Sequence, residues 1–235
     1  MNLIQNIREP HRLLLCWQAP EGKDRTLFTV AELQKKNNEY LFRYLKNTRD
    51  FERATDLGFT IYPPFKINPE LYNSGVLEAF MRRITPRTRN DFAEYLEEFR
   101  IPNNVQIDDF TLLGYTGAKL PSDGFLVVNP FDDIEIPAEM LVELAGTRYI
   151  KTLNMKLIHK DDEVVLIPEP TNGYDQDAIR CMVGSHKIGY IKKGQTTAFH
   201  RWLSDKSIVL TANIERINGN ADRPIIYVFV KLREK

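Results

Sequence analysis

A short stretch in the second half of the chain combines three kinds of side chain that could do chemistry. In EPTNGYDQDAI (169–179), an amide, a phenol ring and a carboxylate lie at Asn172, Tyr174 and Asp175. Asn and Asp side chains accept hydrogen bonds from nearby backbone N–H groups, which favours a structural turn. A turn does not require the tyrosine, whose ring could stack on a nucleic-acid base. Both interpretations stay open at this point: a turn needed for folding, and a ring that contacts a ligand.

Motifs typical of enzyme active sites are absent from the sequence. The chain contains no GxxxxGK[ST], GxSxG or HExxH pattern. The glycine-rich stretch at 114–124 lacks a hydroxyl residue after its lysine and follows a predicted helix, so it is predicted to be a turn. The four histidines have no cysteine partners at metal-ligand spacing. We therefore expect no catalytic residue, no metal and no cofactor.

Composition indicates a globular protein without a membrane anchor. The 235 residues are 43% hydrophobic and carry 32 basic and 32 acidic side chains. Residues 140–235 hold 15 Lys and Arg against 11 Asp and Glu, and the preceding residues 1–139 hold 17 against 21. A mildly basic second half is compatible with nucleic-acid binding. Without a signal-peptide pattern, and with Cys16 and Cys181 expected as reduced thiols, a cytoplasmic location is predicted.

The first half alternates between strand-like and helix-like patterns. Residues 74–84 and 87–101 place apolar side chains at three-to-four spacing and predict amphipathic helices, with Ser74 and Asn90 as N-caps. Residues 107–128 predict a short helix, a glycine-rich connection and a strand. Three further strands are predicted at residues 12–18, 25–33 and 39–45.

The second half is dominated by predicted strands. A proline- and carboxylate-rich segment at 129–141 is the best boundary, which gives domains at 1–130 and 142–235 with a linker at 131–141. One helix is predicted at 195–205, and many short strands with turns between them suggest a small barrel. The fold class is therefore α+β, with a mixed α/β accessory domain followed by this barrel. The six strands are predicted at residues 143–150, 162–169, 177–184, 186–191, 207–217 and 223–232.

Three motifs of the second half, taken in order, resemble the HIRAN domain. They are AGTRYI (145–150), LIPEPTNGYDQDAIRCMVGSHKIGYIKK (166–193) and TTAFHRWLSD (196–205), and the resemblance covers roughly residues 140–232. It implies an OB-like barrel that binds single-stranded DNA and captures a free 3′ end. Such surfaces stack bases on aromatic rings and meet the backbone with basic side chains.

The resemblance also implies roles for individual residues. Tyr149 and Tyr174 would stack on bases, and the Asp175 carboxylate would accept a hydrogen bond from the terminal 3′-hydroxyl. The sequence departs from the family pattern at Gly173, where a proline is common. It also departs at Tyr190, where a human member of the family has a histidine. The predicted DNA contacts are Arg148, Tyr149, Asn172, Tyr174, Asp175, Tyr190, Lys192, Lys193 and Phe199, of which Phe199 fits a core position as well.

Residues 12–130 partially resemble the N-terminal subdomain of HipA-type kinases. The residues concerned are YNSGVLEAFMRRITPRTRNDFAEYLEEF (72–99) and FTLLGYTGAKLPSDGFLVVNP (110–130). The chain has no room for a kinase core, so the resemblance implies a protein-binding accessory domain whose partner is a HipA-type kinase or regulator.

Three functions therefore compete. The leading hypothesis is a bacterial, non-enzymatic protein that binds single-stranded DNA or DNA 3′ ends and has a protein-interaction domain at its N-terminus. The second is an accessory or antitoxin-like subunit of a HipA-type toxin–antitoxin system, whose barrel would contact protein. The third is a DNA-end-processing enzyme, which the lack of a recognisable set of catalytic ligands disfavours.

Overall fold

The computed structural model of the protein describes residues 2–20, 26–37, 39–120, 123–151, 153–220 and 223–235. The chain forms two compact units. The N-terminal unit consists of Glu9–Phe99 and Asn103–Asp133. The C-terminal unit consists of Met1–Arg8, Arg100–Pro102 and Ile134–Lys235. The chain passes from one unit to the other at residues 133–134, inside the segment predicted to be a linker.

The N-terminal unit is a four-stranded antiparallel sheet with four helices. Its strand order is β3-β2-β1-β4, and β1 pairs with both β2 and β4. The strands are β1 (Arg12–Gln18), β2 (Leu27–Lys36), β3 (Glu39–Tyr44) and β4 (Phe125–Val128). The helices are α1 (Arg49–Asp56), α2 (Val76–Met81), α3 (Phe92–Glu98) and α4 (Asp109–Thr116).

Aromatic rings fill the core of this unit. The ring of Phe42 stacks on Phe65 with centroids 4.5 Å apart, and Tyr62 stacks on Phe80 at 4.8 Å. Phe42 and Phe80 are fully buried. The Tyr44 hydroxyl lies in the same core, where it donates to the Phe65 carbonyl at 2.6 Å and accepts from the Tyr62 N–H at 2.8 Å. The buried rings therefore also satisfy the backbone groups of the proline-rich loop that contains residues 62–65.

The predicted helices of this unit are longer than the observed ones. Ser74 and Asn90 are not the N-caps: Gly75 and Asp91 occupy those positions, and neither makes a side-chain capping bond. Gly75 has a φ of 66°, a left-handed conformation that interrupts the helical pattern one residue after the predicted cap. Helix α1 was not predicted, although Thr48 caps it by accepting from the Phe51 N–H. Arg25 of the second predicted strand, and Pro121 and Ser122 of the glycine-rich stretch, lie outside the described residues.

The C-terminal unit contains two three-stranded antiparallel sheets. One has the order β5-β10-β9 and the other β6-β7-β8. Isolated bridges join Ala145 to Tyr190 and Glu163 to Asn213. The predicted OB-like barrel is not confirmed, because the described strands form no closed barrel. The strands are β5 (Ala138–Glu143), β6 (Val165–Pro168), β7 (Ile179–Val183), β8 (His186–Tyr190), β9 (Ile208–Gly219) and β10 (Pro224–Glu234), and the helix is α5 (Thr196–Ser204).

The largest error in this half concerns residues 143–150, which were predicted to be a strand. Strand β5 ends at Glu143, and Thr147–Tyr149 form a 3₁₀ turn. Gly146 takes a left-handed φ of 73° and begins this turn. Because β5 begins at Ala138, it also occupies part of the segment predicted to be a linker.

Two segments from the first half of the chain belong to the C-terminal unit. The Ile4 N–H donates to the Arg100 carbonyl at 2.8 Å. The side chains of Asn2 and Arg100 both donate to the carboxylate of Glu215 on β9, each at 2.7 Å. The Glu215 side chain is fully buried, so these charge-assisted bonds attach distant segments to the sheet.

Candidate nucleic-acid interface

Asn172 fixes the loop between β6 and β7. Its side-chain oxygen accepts from the backbone N–H groups of Tyr174, at 2.9 Å, and Asp175, at 3.2 Å. Its amide nitrogen donates to the Glu169 carboxylate at 2.8 Å, and its own backbone N–H donates to the Glu169 carbonyl at 2.9 Å. The Asn172 side chain therefore forms hydrogen bonds with residues on both sides of the turn, and these bonds fix the conformation of the loop.

The side chain of Tyr174 lies at the tip of this loop, in solvent. It is 97% exposed, and the part of the chain that the structure describes offers it no hydrogen bond or ring contact. Tyrosine rings usually bury most of their apolar area. Here the backbone of Tyr174 is held by Asn172 while the ring contributes nothing to packing.

The two carboxylate oxygens of Asp175 differ in their hydrogen bonds to the described residues. Its Oδ1 accepts from the Asp177 N–H at 3.0 Å, and its carbonyl accepts from the Ala178 N–H at 3.1 Å. Its Oδ2 has no partner among the described residues. The carboxylate is thus held by a turn bond while half-exposed, and it can still accept a hydrogen bond from a ligand.

Tyr190 on β8 connects the loop to the turn that carries Tyr149. Its backbone exchanges two hydrogen bonds with Ala145, at 2.8 and 2.9 Å. Its hydroxyl donates to the Glu169 carboxylate at 3.1 Å and accepts from the Lys187 ammonium at 3.2 Å. A Cβ atom at Gly146 would lie 3.4 Å from the Tyr190 ring. Tyr190 therefore supports the site by fixing the separation of two neighbouring segments.

Arg148 and Tyr149 form an exposed pair at the end of the 3₁₀ turn. The Arg148 guanidinium lies 4.7 Å from the centroid of the Tyr149 ring and also donates to its hydroxyl. Tyr149 is 61% exposed. This cation–π arrangement covers one face of the ring and leaves the other to solvent.

Three of the predicted contacts occupy less favourable positions. The Lys192 ammonium forms an ion pair with Glu143 at 3.0 Å, so its charge is compensated within the unit. Lys193 is half-buried. Phe199 on α5 is fully buried and packs on Trp202 with ring centroids 4.8 Å apart. Its ring offers no face to a base, and Phe199 belongs to the core.

Sequence reasoning missed two residues that hold the site together, Glu169 and Lys187. The Glu169 carboxylate is bonded by Asn172, Tyr190 and, more weakly, Arg180. The hydrogen bond from Asn172 is the main cause that lowers the pKa of Glu169, so this group is charged at neutral pH. Glu169 stands three residues before Asn172 in the motif, a spacing that was a signal for this contact.

The described residues include neither a metal-binding cluster nor a membrane-spanning helix. No group of three or more His, Cys, Asp and Glu side chains in the described ranges is placed to hold a metal ion. None of the described helices is long and apolar enough to cross a membrane.

Comparison with known proteins identifies the second half of the chain. Residues 138–233 match the family model of the HIRAN domain. The crystal structure of the HIRAN domain of human HLTF is 19% identical, covers 41% of this chain and 76% of its own, and has a TM-score of 0.35. A protein from Lactobacillus plantarum is 24% identical, covers 40% of this chain and 92% of its own, and has a TM-score of 0.33. No curated protein sequence matches the chain. The resemblance of residues 12–130 to HipA-type kinases is not supported by these matches.

Proposed function

We propose that this chain binds single-stranded DNA and recognises its free 3′ end. The match of residues 138–233 to the HIRAN domain, a family associated with DNA binding, supports this proposal. The function is one of binding, without a chemical step. The bound strand lies across the surface formed by Tyr149, Asn172, Tyr174, Asp175 and Tyr190, which we call the tyrosine surface.

The observation that carries this proposal is the exposure of Tyr174. A ring that is 97% in water, on a loop whose backbone is fixed by Asn172, adds nothing to folding stability. It is preorganised for stacking, because its backbone loses no conformational freedom when a base arrives. Base stacking on an aromatic side chain contributes about 1–3 kcal/mol per base. Tyr149, with one face open, provides a second ring.

Asp175 supplies the preference for the end of the strand. A terminal 3′-hydroxyl can donate a hydrogen bond to the unpartnered Oδ2, whereas a 3′-phosphate would be repelled by the carboxylate. An interior nucleotide has no free 3′-hydroxyl to donate. The position of this carboxylate one residue after Tyr174 would place the hydroxyl beside the stacked terminal base.

The test compares three 5′-labelled oligonucleotides by fluorescence anisotropy: one with a 3′-hydroxyl, one with a 3′-phosphate, and one whose 3′ end is closed in a hairpin. Asp175→Asn is the informative variant, since its Oδ1 can still accept from the Asp177 N–H while Oδ2 becomes a donor. Asp177→Asn, two residues away and exposed, is the matched control for the change in charge.

We expect the wild type and Asp177→Asn to prefer the 3′-hydroxyl, and Asp175→Asn to lose most of that preference. Affinity should fall as salt rises, since bound phosphates release counterions. Equal and weak binding of all three oligonucleotides by all three proteins would contradict the proposal. That outcome would favour the accessory-subunit hypothesis, in which the domain contacts protein.

A further inference from the structure

The outer face of the sheet β6-β7-β8 extends from the tyrosine surface. Arg180 on β7 lies directly opposite Tyr190 on β8 and opposite Ile167 on β6. Side chains of directly opposed residues project from the same face of a sheet. The neighbouring residues Ile179 and Cys181 are buried on the other face, whereas Arg180 is half-buried. Arg180 therefore shares its face with Tyr190.

A β-bulge brings a second cation to this face. The register of β7 and β8 shifts between Cys181 and Met182, so Ile188 is an extra residue without an opposing partner. As a result Lys187 and Tyr190 project from one face although they are three residues apart, and Lys187 reaches the Tyr190 hydroxyl at 3.2 Å. Ile188 points into the core.

The guanidinium of Arg180 is poorly satisfied in this arrangement. Its one ion pair among the described residues joins Nη1 to Oε1 of Glu169 at 3.5 Å, at the outer limit of a hydrogen bond. Its Nε–H is buried and has no partner among the residues that the structure describes. The other oxygen of Glu169 is bonded more closely, by Asn172 at 2.8 Å and Tyr190 at 3.1 Å. Glu169 thus keeps its place in the loop without Arg180.

Two other cations near the tyrosine surface have closer partners. Lys192 is paired with Glu143 at 3.0 Å, and Arg148 lies over the ring of Tyr149. Arg180 and Lys187 carry two positive charges beside the single negative charge of Glu169. The Arg180 side chain is 38% exposed, and a guanidinium is suited to an anion with two acceptor oxygens, such as a backbone phosphate.

We propose that Arg180 is a phosphate contact for the DNA strand, and that it exchanges its weak bond to Glu169 for one phosphate of the nucleotides that precede the 3′ end. This inference rests on the proposed function. It adds the outer face of β6-β7-β8 to the DNA path, and it assigns to Arg180 a contribution to affinity that is independent of the recognition of the 3′-hydroxyl.

The test measures how the affinity for a 5′-labelled oligothymidylate with a 3′-hydroxyl depends on salt. Arg180→Gln should reduce the slope of log affinity against log salt by about 0.7, the value for one phosphate of a single strand. Its preference for a 3′-hydroxyl over a 3′-phosphate should equal that of the wild type. Arg180→Lys should retain the slope, because it keeps the charge, but bind more weakly than wild type.

Arg216→Gln is the matched control. This arginine also has a buried Nε without a partner in the described chain, but it lies on β9, in the other sheet, over the ring of Tyr227. The slope of log affinity against log salt for Arg216→Gln should equal the wild-type slope. An unchanged slope in Arg180→Gln, or an equal loss in Arg216→Gln, overturns the assignment of Arg180.

The outcomes separate this inference from the proposed function. If the wild type binds without preferring a 3′-hydroxyl while the slope falls in Arg180→Gln, end recognition fails and the phosphate contact stands. If the wild type shows no binding, both fail.

Discussion

Aromatic rings of the N-terminal unit lie in its core, whereas two tyrosines of the C-terminal unit lie in solvent. Phe42 stacks on Phe65, and Tyr62 stacks on Phe80, among buried neighbours. Tyr149 and Tyr174 are 61% and 97% exposed. Burial of a ring stabilises the fold in proportion to the apolar area removed from water. An exposed ring gains none of this, which agrees with the binding role that we propose for Tyr149 and Tyr174.

The polar groups next to the rings differ in the same way. In the N-terminal unit the Tyr44 hydroxyl satisfies the backbone at residues 62 and 65. In the C-terminal unit the polar atoms around Tyr174 satisfy its backbone, and its ring and the Oδ2 of Asp175 have no partner within the described ranges. The comparison predicts that mutations in the two sets of rings separate stability from DNA affinity.

The largest effect is expected for Phe42→Ala. Removal of this fully buried ring deletes its stacking on Phe65 and leaves a cavity, which should lower the free energy of unfolding by about 3–5 kcal/mol. Denaturant titration of the fluorescence of Trp17, in a Trp202→Phe background, measures this in the N-terminal unit. Phe42→Leu, which retains more apolar volume, should lose less. A loss below about 1 kcal/mol for Phe42→Ala would show that the ring is not part of a close-packed core.

A change at Tyr174 should instead weaken DNA binding and leave stability unchanged. Tyr174→Ala should leave the denaturation midpoint unchanged and weaken binding of single-stranded DNA by about 5- to 150-fold, the equivalent of about 1–3 kcal/mol for one stacked base. Tyr174→Phe keeps the ring and should bind nearly as the wild type does. Anisotropy and denaturation of the same preparations give both quantities. A variant that loses stability instead of affinity would mean that the loop and its tyrosine are structural.

The sequence predicted features that depend on neighbours along the chain better than features that depend on pairing. Strand β1 has the predicted bounds, because its apolar run is a local property. The side chain of Asn172 bonds within its own loop, and the EPTNGYD motif indicated a turn there. Conversely, the position of Lys187 on the face of Arg180 depends on the bulge in β8, and the burial of Phe199 depends on Trp202 and on the packing of α5 against β9. Neither can be deduced from spacing within one segment.

The smallest effect concerns the titration of a buried tyrosine. Burial raises the pKa of Tyr44 to about 12, from about 10 in the unfolded chain. The unfolded state therefore releases this proton at a lower pH than the folded state does. The stability that Tyr44 contributes is complete below about pH 10 and is lost as the pH rises towards 12.

This pH dependence can be isolated by comparison with Tyr44→Phe, which has no titrating hydroxyl. Between pH 9 and 10.5 the wild type should lose roughly 1 kcal/mol of unfolding free energy relative to the variant. Denaturant titrations at both pH values, again followed by Trp17, measure the difference. The variant should be less stable at neutral pH, since the backbone groups at residues 62 and 65 lose their partner. If the wild type and Tyr44→Phe lost stability in parallel above pH 9, the hydroxyl would be exposed to water, and the contrast between the buried and exposed tyrosines of this protein would be weaker than the structure indicates.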